Sequence, residues 1–225
     1  MVTAGAPNQL SAETAIVRGE PAEALRLRRT RGSVKGPVDQ VDARASIGLA
    51  GVPTVVAIGP FDDHAYARQL ATAFISVRRH CQAQLVLLGS GAQRTAVKRH
   101  TAAHGIGDSV RMVSDCCDDR WTDVVAAADL VVLSGSSGTA TLLEVLSAGR
   151  AVVAPADPET VQLVVPAIVG LVYAPGDVSG MGAALLRLLT TPALRRGMAG
   201  RAGNVARRHQ LEISIRHQPD GGQRR

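Results

Sequence analysis

Aromatic side chains are scarce. The 225 residues include two phenylalanines, two tyrosines and one tryptophan. A core must therefore be assembled from Ala, Val and Leu, which suits close packing of helices on a sheet. Cysteine is also rare. Cys81, Cys116 and Cys117 are odd in number, two are adjacent and no Cys-x-x-Cys spacing occurs. This excludes a disulfide framework and a thiolate zinc site and predicts free thiols. No apolar run reaches the roughly 18 residues needed to span a bilayer, so no membrane span is expected. The first residues lack the charged-then-apolar order of a secretory leader, and a cytoplasmic location is expected. The six histidines, His64, His80, His100, His104, His209 and His217, share no metal-ligand spacing. Neither a metal nor a cofactor is expected.

Charge of one sign is missing where it would matter for nucleic acid. The formal net charge is +6. Residues 195–225 carry eight basic and two acidic side chains, whereas residues 53–194 carry ten basic and twelve acidic. The excess belongs to the C-terminal end and the body is slightly acidic. That argues against a nucleic-acid-binding fold. The basic end is suited to peripheral contact with an anionic membrane surface.

Regular patterning begins at Pro53. Residues 1–52 read as a loosely patterned N-terminal segment or linker. Within it, 21–27 suits a short helix, Arg26, Arg28, Arg29 and Arg31 form a charge run, and 42–49 suits one or two helical turns. Apolar, β-rich runs then predict strands at 54–58, 84–88, 109–113, 130–133, 151–154 and 170–173. Between and after them, helical patterns cover 65–81, 95–104, 118–129, 142–146, 158–168, 182–189 and 193–208. Strands alternating with helices predict an α/β, Rossmann-like doubly wound parallel sheet over 53–208. Residues 209–225 read as a basic disordered tail.

The most informative stretch is Leu130–Gly149, LVVLSGSSGTATLLEVLSAG. A buried-strand pattern turns through a Ser/Gly loop into a helix carrying a single carboxylate, Glu144. Gly149 stands where such a helix stops. A helix N-terminus after a Gly/Ser loop can receive an anion, although an ordinary βα turn also uses Ser and Gly for capping. Ligands on doubly wound sheets bind beyond the carboxyl ends of the strands. The loops there are Gly59–His64, Gly89–Gln93, Ser114–Asp118, Ser134–Thr139 and Pro155–Thr160. Gly89-Ser90-Gly91 superficially suggests a dinucleotide fingerprint. It follows the second strand instead of the first, however, and Arg94 occupies the third glycine position. Gly135-Ser136-Ser137-Gly138 misses the spacing of a hydrolase nucleophile elbow.

The order and spacing of these elements resemble the C-terminal, nucleotide-sugar-binding half of GT-B glycosyltransferases, especially the large retaining group 1 family. The resemblance rests on DARASIGLAGVPTVVAIG (42–59), QLVLLGSGAQRT (84–95), HGIGDSVRMV (104–113), VVAAADLVVLS (124–134), LEVLSAGRAVVAP (143–155) and GLVYAPGD (170–177). It covers about residues 42–208. It implies a nucleotide-sugar donor bound by Gly59, Ser136, Ser137, Gly138, Thr139, Ala140 and Glu144. Gly138–Ala140 would face the diphosphate, Ser137 or Thr139 would add a hydroxyl donor, and Glu144 would hold the ribose hydroxyls. His64, Arg94 and Lys98 are further candidates for phosphate or sugar contact.

Three departures accompany the resemblance. The family's donor loop has two glutamates eight positions apart, and Ser136 stands where the first would be. The loop instead reads SSGTATLLE (136–144), closer to that of lipid-A-disaccharide synthases. The loop after the first strand, Gly59–His64, holds neither of the family's two phosphate-neutralising cations; Arg68 follows one helical turn later. The residues before Pro53 are too few for an acceptor-binding half. Two readings follow. In one, the chain binds a nucleotide-activated sugar and needs an acceptor-domain partner or self-association for transfer. In the other, it is a non-catalytic truncated transferase serving as a binding or interaction module.

Overall fold

The computed structural model describes residues 39–49, 51–113 and 118–216. The expected helix at 21–27, the arginine run, Cys116 and Cys117 lie outside them, as does most of the Ser114–Asp118 loop. The described chain runs α1 (Gln40–Ser46), β1 (Thr54–Ile58), α2 (His64–Arg78), β2 (Gln84–Leu88), α3 (Arg94–Ala103), a 3₁₀ turn (Gly107–Ser109) and β3 (Val110–Val113). It continues through α4 (Asp118–Ala127), β4 (Leu130–Leu133), α5 (Gly138–Ser147), β5 (Ala151–Pro155), α6 (Pro158–Val164), β6 (Gly170–Tyr173), α7 (Val178–Thr190) and α8 (Pro192–Arg216).

The six strands form one parallel sheet in the order β3-β2-β1-β4-β5-β6. The doubly wound expectation is therefore met. Strict alternation sends the two faces of each strand into separate cores. Val55, Ala57, Leu85, Leu87, Leu130, Val132, Ala151 and Val153 pack with α2, α3 and α7. Val56, Ile58, Val86, Leu88, Val131, Leu133, Val152 and Ala154 pack with α4, α5, α6 and α8. Because both faces are covered, β1, β2, β4 and β5 are buried at every residue, which is why each reads as a continuous apolar run. Each large aliphatic side chain so buried contributes about 1.5–3 kcal/mol relative to exposure.

Helix α8 extends past the expected boundary at 208 and continues to Arg216. This corrects the reading of 209–225 as tail from its first residue. Ala202 and Ala206 anchor the helix on the sheet, and no Gly or Pro interrupts 209–216. Residues 217–225 lie outside the described residues. Helix α6 ends earlier than expected, at Val164. Pro166 follows and Ile168 takes a φ of +51°, so the chain leaves the helix before β6.

At the amino ends of β1 and β4, Asp129 joins three elements. Its Oδ2 accepts from the Thr54 backbone N–H at 2.7 Å and pairs with Arg44 of α1. Its Oδ1 accepts from Arg195 of α8 at 3.1 Å. The Asp129 N–H in turn donates to the Thr54 carbonyl at 2.9 Å. Around this carboxylate, Gln40, Arg44 and Arg150 donate to the carbonyls of Ala127 and Ala128 that end α4. Burial draws the Arg150 pKa down, and the charge of Asp129 opposes that shift. The Asp129 side chain is 12% exposed, so its negative charge is held largely away from water.

At the carboxyl ends, the loop after β2 packs directly on the loop after β1. The Gly59 N–H donates to the Leu88 carbonyl at 2.8 Å, Phe61 N–H to Ser90 at 2.9 Å and Gln93 N–H to Phe61 at 2.9 Å. A Cβ on Gly91 would fall 2.4 Å from the Phe61 carbonyl carbon, and one on Gly89 3.3 Å from the Gly59 nitrogen. Gly91 also has a φ of +127°. Gly89-Ser90-Gly91 is thus a packing motif between two loops, which explains its position after the second strand.

Two outcomes follow. Asp129→Ala strands two arginines and the Thr54 N–H; it should cost about 3 kcal/mol, read as a lower urea midpoint at unchanged m. Gly91→Ala should cost about 2 kcal/mol or more, lowering Tm by about 4–8 °C. Gly105→Ala is the comparison, because Gly105 has a φ of +74° with nothing within 4 Å of its Cβ position. It should lose only the left-handed penalty of about 1 kcal/mol.

Candidate functional site

The sheet order reverses at β1 and β4, so the loops leaving these neighbouring strands flank a crevice. Ile58 pairs in register with Leu133, which sets Gly59 beside Ser134 at the crevice floor. The strand-to-helix turn after β4 is built from hydroxyls. Ser134 Oγ lies 3.0 Å from Ser136 Oγ and 2.9 Å from Ser137 Oγ. The Ser134 N–H donates to Ser137 Oγ at 3.0 Å and the Ser137 N–H to the Ser134 carbonyl at 3.1 Å. This cluster fixes the turn and hands the chain to α5 at Gly138.

The start of α5, like that of α3, has no side-chain cap. The helices α1, α2, α6 and α7 begin with an aspartate whose side chain accepts a first-turn N–H. Ser137 at α5 makes no such bond, because its hydroxyl is turned back into the serine cluster. The first-turn N–H groups of Gly138, Thr139 and Ala140 have no carbonyl four residues back in the helix. Gly138 has a φ of +69°, and a Cβ there would meet nothing within 4 Å. Ser136 and Gly138 are exposed, so the helix begins at the surface, where its positive dipole end is accessible.

Glu144, on the second turn of α5, is half-buried. Thr139 and Ala140 are half-buried, and Ser136 and Gly138 are exposed. The structure thus brings Ser136, Ser137, Gly138, Thr139, Ala140 and Glu144 together on one turn and its helix. It also adds Glu159, which the sequence reading did not single out. The Thr139 hydroxyl donates to its carboxylate from α6. The loop leading to α6 was recognisable as a sheet-end loop, but nothing in its sequence indicates a partner on α5.

Gly59 stands apart from that group. Its N–H is used by Leu88, and a Cβ would lie 2.8 Å from the Phe61 ring. It admits the Phe61 ring. His64, the first residue of α2, is exposed, and its Nδ1 lies 3.1 Å from Gln93 Oε1. Arg94 is half-buried and Lys98 exposed, both on α3. These three belong to the second pair of loops and helices, beside β2, and no hydrogen bond joins them to the α5 turn among the described residues. No group of three or more His, Cys, Asp or Glu side chains that could hold a metal occurs among the described residues. The Cys81 thiol is half-buried, and burial pushes its pKa up, away from a reactive thiolate. No described helix is long and apolar enough to cross a membrane.

Among solved structures, sucrose-phosphate synthase from Thermosynechococcus elongatus is 24% identical, with a TM-score of 0.66 over 87% of this chain and 56% of that one. An Anabaena protein, HepE, in complex with UDP and glucose is 17% identical, with a TM-score of 0.62 over 81% of this chain and 53% of that one. The C-terminal domain of a glycosyl transferase group 1 family protein, LpcC, from Francisella tularensis is 15% identical, with a TM-score of 0.66. In that case 77% of this chain covers 98% of the other. The chain spans little more than half the length of the first two structures and nearly all of the third, so its fold is that of one GT-B half. No curated protein matches it. The family described as glycosyl transferases group 1 matches residues 52–191, more than half of the sequence, and the chain belongs to that family.

Proposed function

We propose that the open N-terminus of α5 receives the diphosphate of a nucleotide-activated sugar. The reading is carried by the uncapped first turn at Gly138–Ala140, set at the switch point of a parallel sheet in a glycosyl transferase group 1 chain. Free N–H groups and the helix dipole both favour an anion there. Glu144 is the hydroxyl acceptor for the ribose, because one carboxylate can take two hydrogen bonds from adjacent hydroxyls.

Several sequence-level candidates take changed roles in this reading. Ser137 and Thr139 act through their backbone, since Ser137 Oγ holds Ser134 and Thr139 Oγ1 holds Glu159. Ser136 borders the same opening, where its hydroxyl can meet the sugar. Arg94 and Lys98 supply positive charge on α3, and His64 borders the neighbouring loop. The Glu159 carboxylate stands beside this opening and, being negative itself, must turn aside when an anionic diphosphate binds. HepE, of the same fold, was solved with UDP and glucose, which supports a nucleoside diphosphate sugar as the ligand class.

Transfer needs an acceptor wall facing this crevice. That wall is a second α/β half, on this or another polypeptide, or a second copy of this chain. Without it, the described residues bind donor but do not transfer sugar. The cation-free loop Gly59–His64 and the committed Thr139 hydroxyl favour a second reading, a non-catalytic binding module. Release of nucleoside diphosphate by the purified chain with any acceptor removes that second reading.

Isothermal titration with UDP-, GDP- and ADP-sugars tests donor binding. At least one should bind, and Glu144→Ala should weaken it about 100-fold by removing two charge-assisted hydrogen bonds. Absence of heat with every donor, or an unchanged Kd for Glu144→Ala, overturns the proposal.

A further inference from the structure

The near-neutral body of this protein hides a strong separation of charge. From His64 to Gly107 there is no aspartate or glutamate in 44 residues, but six arginines or lysines and four histidines. The rest of 53–194 carries four basic and twelve acidic side chains. Helices α2 and α3, which both lie in the carboxylate-free segment, pack side by side on the same face of the sheet.

A groove of about 320 Å³ runs between them. Its walls are His64 and Arg68 from α2 and Arg99 and His100 from α3. Only the methyl groups of Ala67, Ala96 and Ala103 fill the space between these walls. Arg68 and Arg99 are exposed, and neither has a hydrogen-bond or ion-pair partner among the described residues. His64 is held toward Gln93, and the His100 ring lies against that of His104, with centroids 5.0 Å apart. The carboxylates nearest in sequence to Arg68 are used elsewhere, and Asp108, the nearest to Arg99, lies beyond the end of α3 in the 3₁₀ turn and does not line the groove. Asp63 caps α2 through the Ala65 N–H at 2.7 Å, and Asp62 accepts the Ala92 N–H at 3.3 Å.

We propose that this α2/α3 groove is a second anion site, which takes a phosphate-bearing group. Two guanidiniums on opposing helices, with no carboxylate to neutralise them, match the fork geometry of phosphate oxygens. The alanine lining leaves room for more than a single phosphate, such as a diphosphate or a phosphorylated headgroup. Apart from His64, no residue of this groove enters the donor reading, so variants of Arg68 and Arg99 test the groove independently of that reading.

The full chain is titrated with inorganic pyrophosphate while backbone amide shifts are followed, at ionic strength matched with chloride. In a parallel arm it is sedimented with phosphatidylcholine vesicles with and without phosphatidylglycerol. The first arm reports a free phosphate source and the second a lipid headgroup. Pyrophosphate should move the amides of Arg68, Ala96, Arg99 and His100, or anionic vesicles alone should pellet the protein. The double variant Arg68→Ala/Arg99→Ala should lower that affinity at least tenfold with an unchanged melting curve. Arg120→Ala/Arg187→Ala, which removes two exposed charges from α4 and α7 outside the groove, should leave it unaltered. The proposal is overturned if neither arm responds or if chloride alone reproduces the shifts. It is equally overturned if the double variant binds like the parent, or if Arg120→Ala/Arg187→Ala loses as much as Arg68→Ala/Arg99→Ala.

Discussion

The carboxylate of Asp129 is the fixed point of this fold. It sits at the amino ends of the two central strands and ties the start of β1, the helix before the sheet and the last helix to one charge. Three donors around one largely buried carboxylate satisfy it, and the same carboxylate offsets part of the charge of two arginines that would otherwise be costly to enclose. Because β1 and β4 are clamped at this end, their register is set, and the loops at the other end emerge at fixed separation. The crevice is therefore shaped by an interaction a full strand length away. One end of the sheet is committed to stability, which leaves the other free for ligands.

At that free end, backbone polar groups divide into those consumed by packing and those left over. The loops after β1 and β2 use theirs on each other: Gly59, Phe61 and Gln93 all donate to neighbouring backbone carbonyls, and Gly91 gives up its side-chain space to Phe61. The turn after β4 uses its serines to hold itself, so no side chain remains to cap α5. The two glycine-containing loops look alike as sequence but do opposite things. One closes a contact; the other leaves a helix end open.

Charge follows the same division. Asp39, Asp63, Asp157 and Asp177 cap helices and Asp129 gathers arginines, while the stretch that forms α2 and α3 carries basic residues and no carboxylate. The overall count of residues 53–194 suggested a body without a basic face. Net charge is a sum, and opposite faces cancel in it.

Sequence by itself determined the sheet. All six strands, their alternation with helices, and the end of α5 at Gly149, with a φ of +67°, were legible. Buried parallel strands must be apolar on both faces, and a helix that stops at a left-handed residue needs glycine. The candidate turn at Ser134–Ala140 and Glu144 could be located for the same reason, since one segment contains all of it. Only the tertiary structure decided what these residues touch. The pairing of Thr139 with Glu159 spans two helices, Gly59 is occupied by a ring two residues on, and Asp129 gathers arginines from positions 44 and 195. The arginines of the α2/α3 groove are 31 positions apart and become neighbours only when both helices pack on one face of the sheet. Periodicity records how a segment meets its core; it carries no information about which distant side chain completes a hydrogen bond.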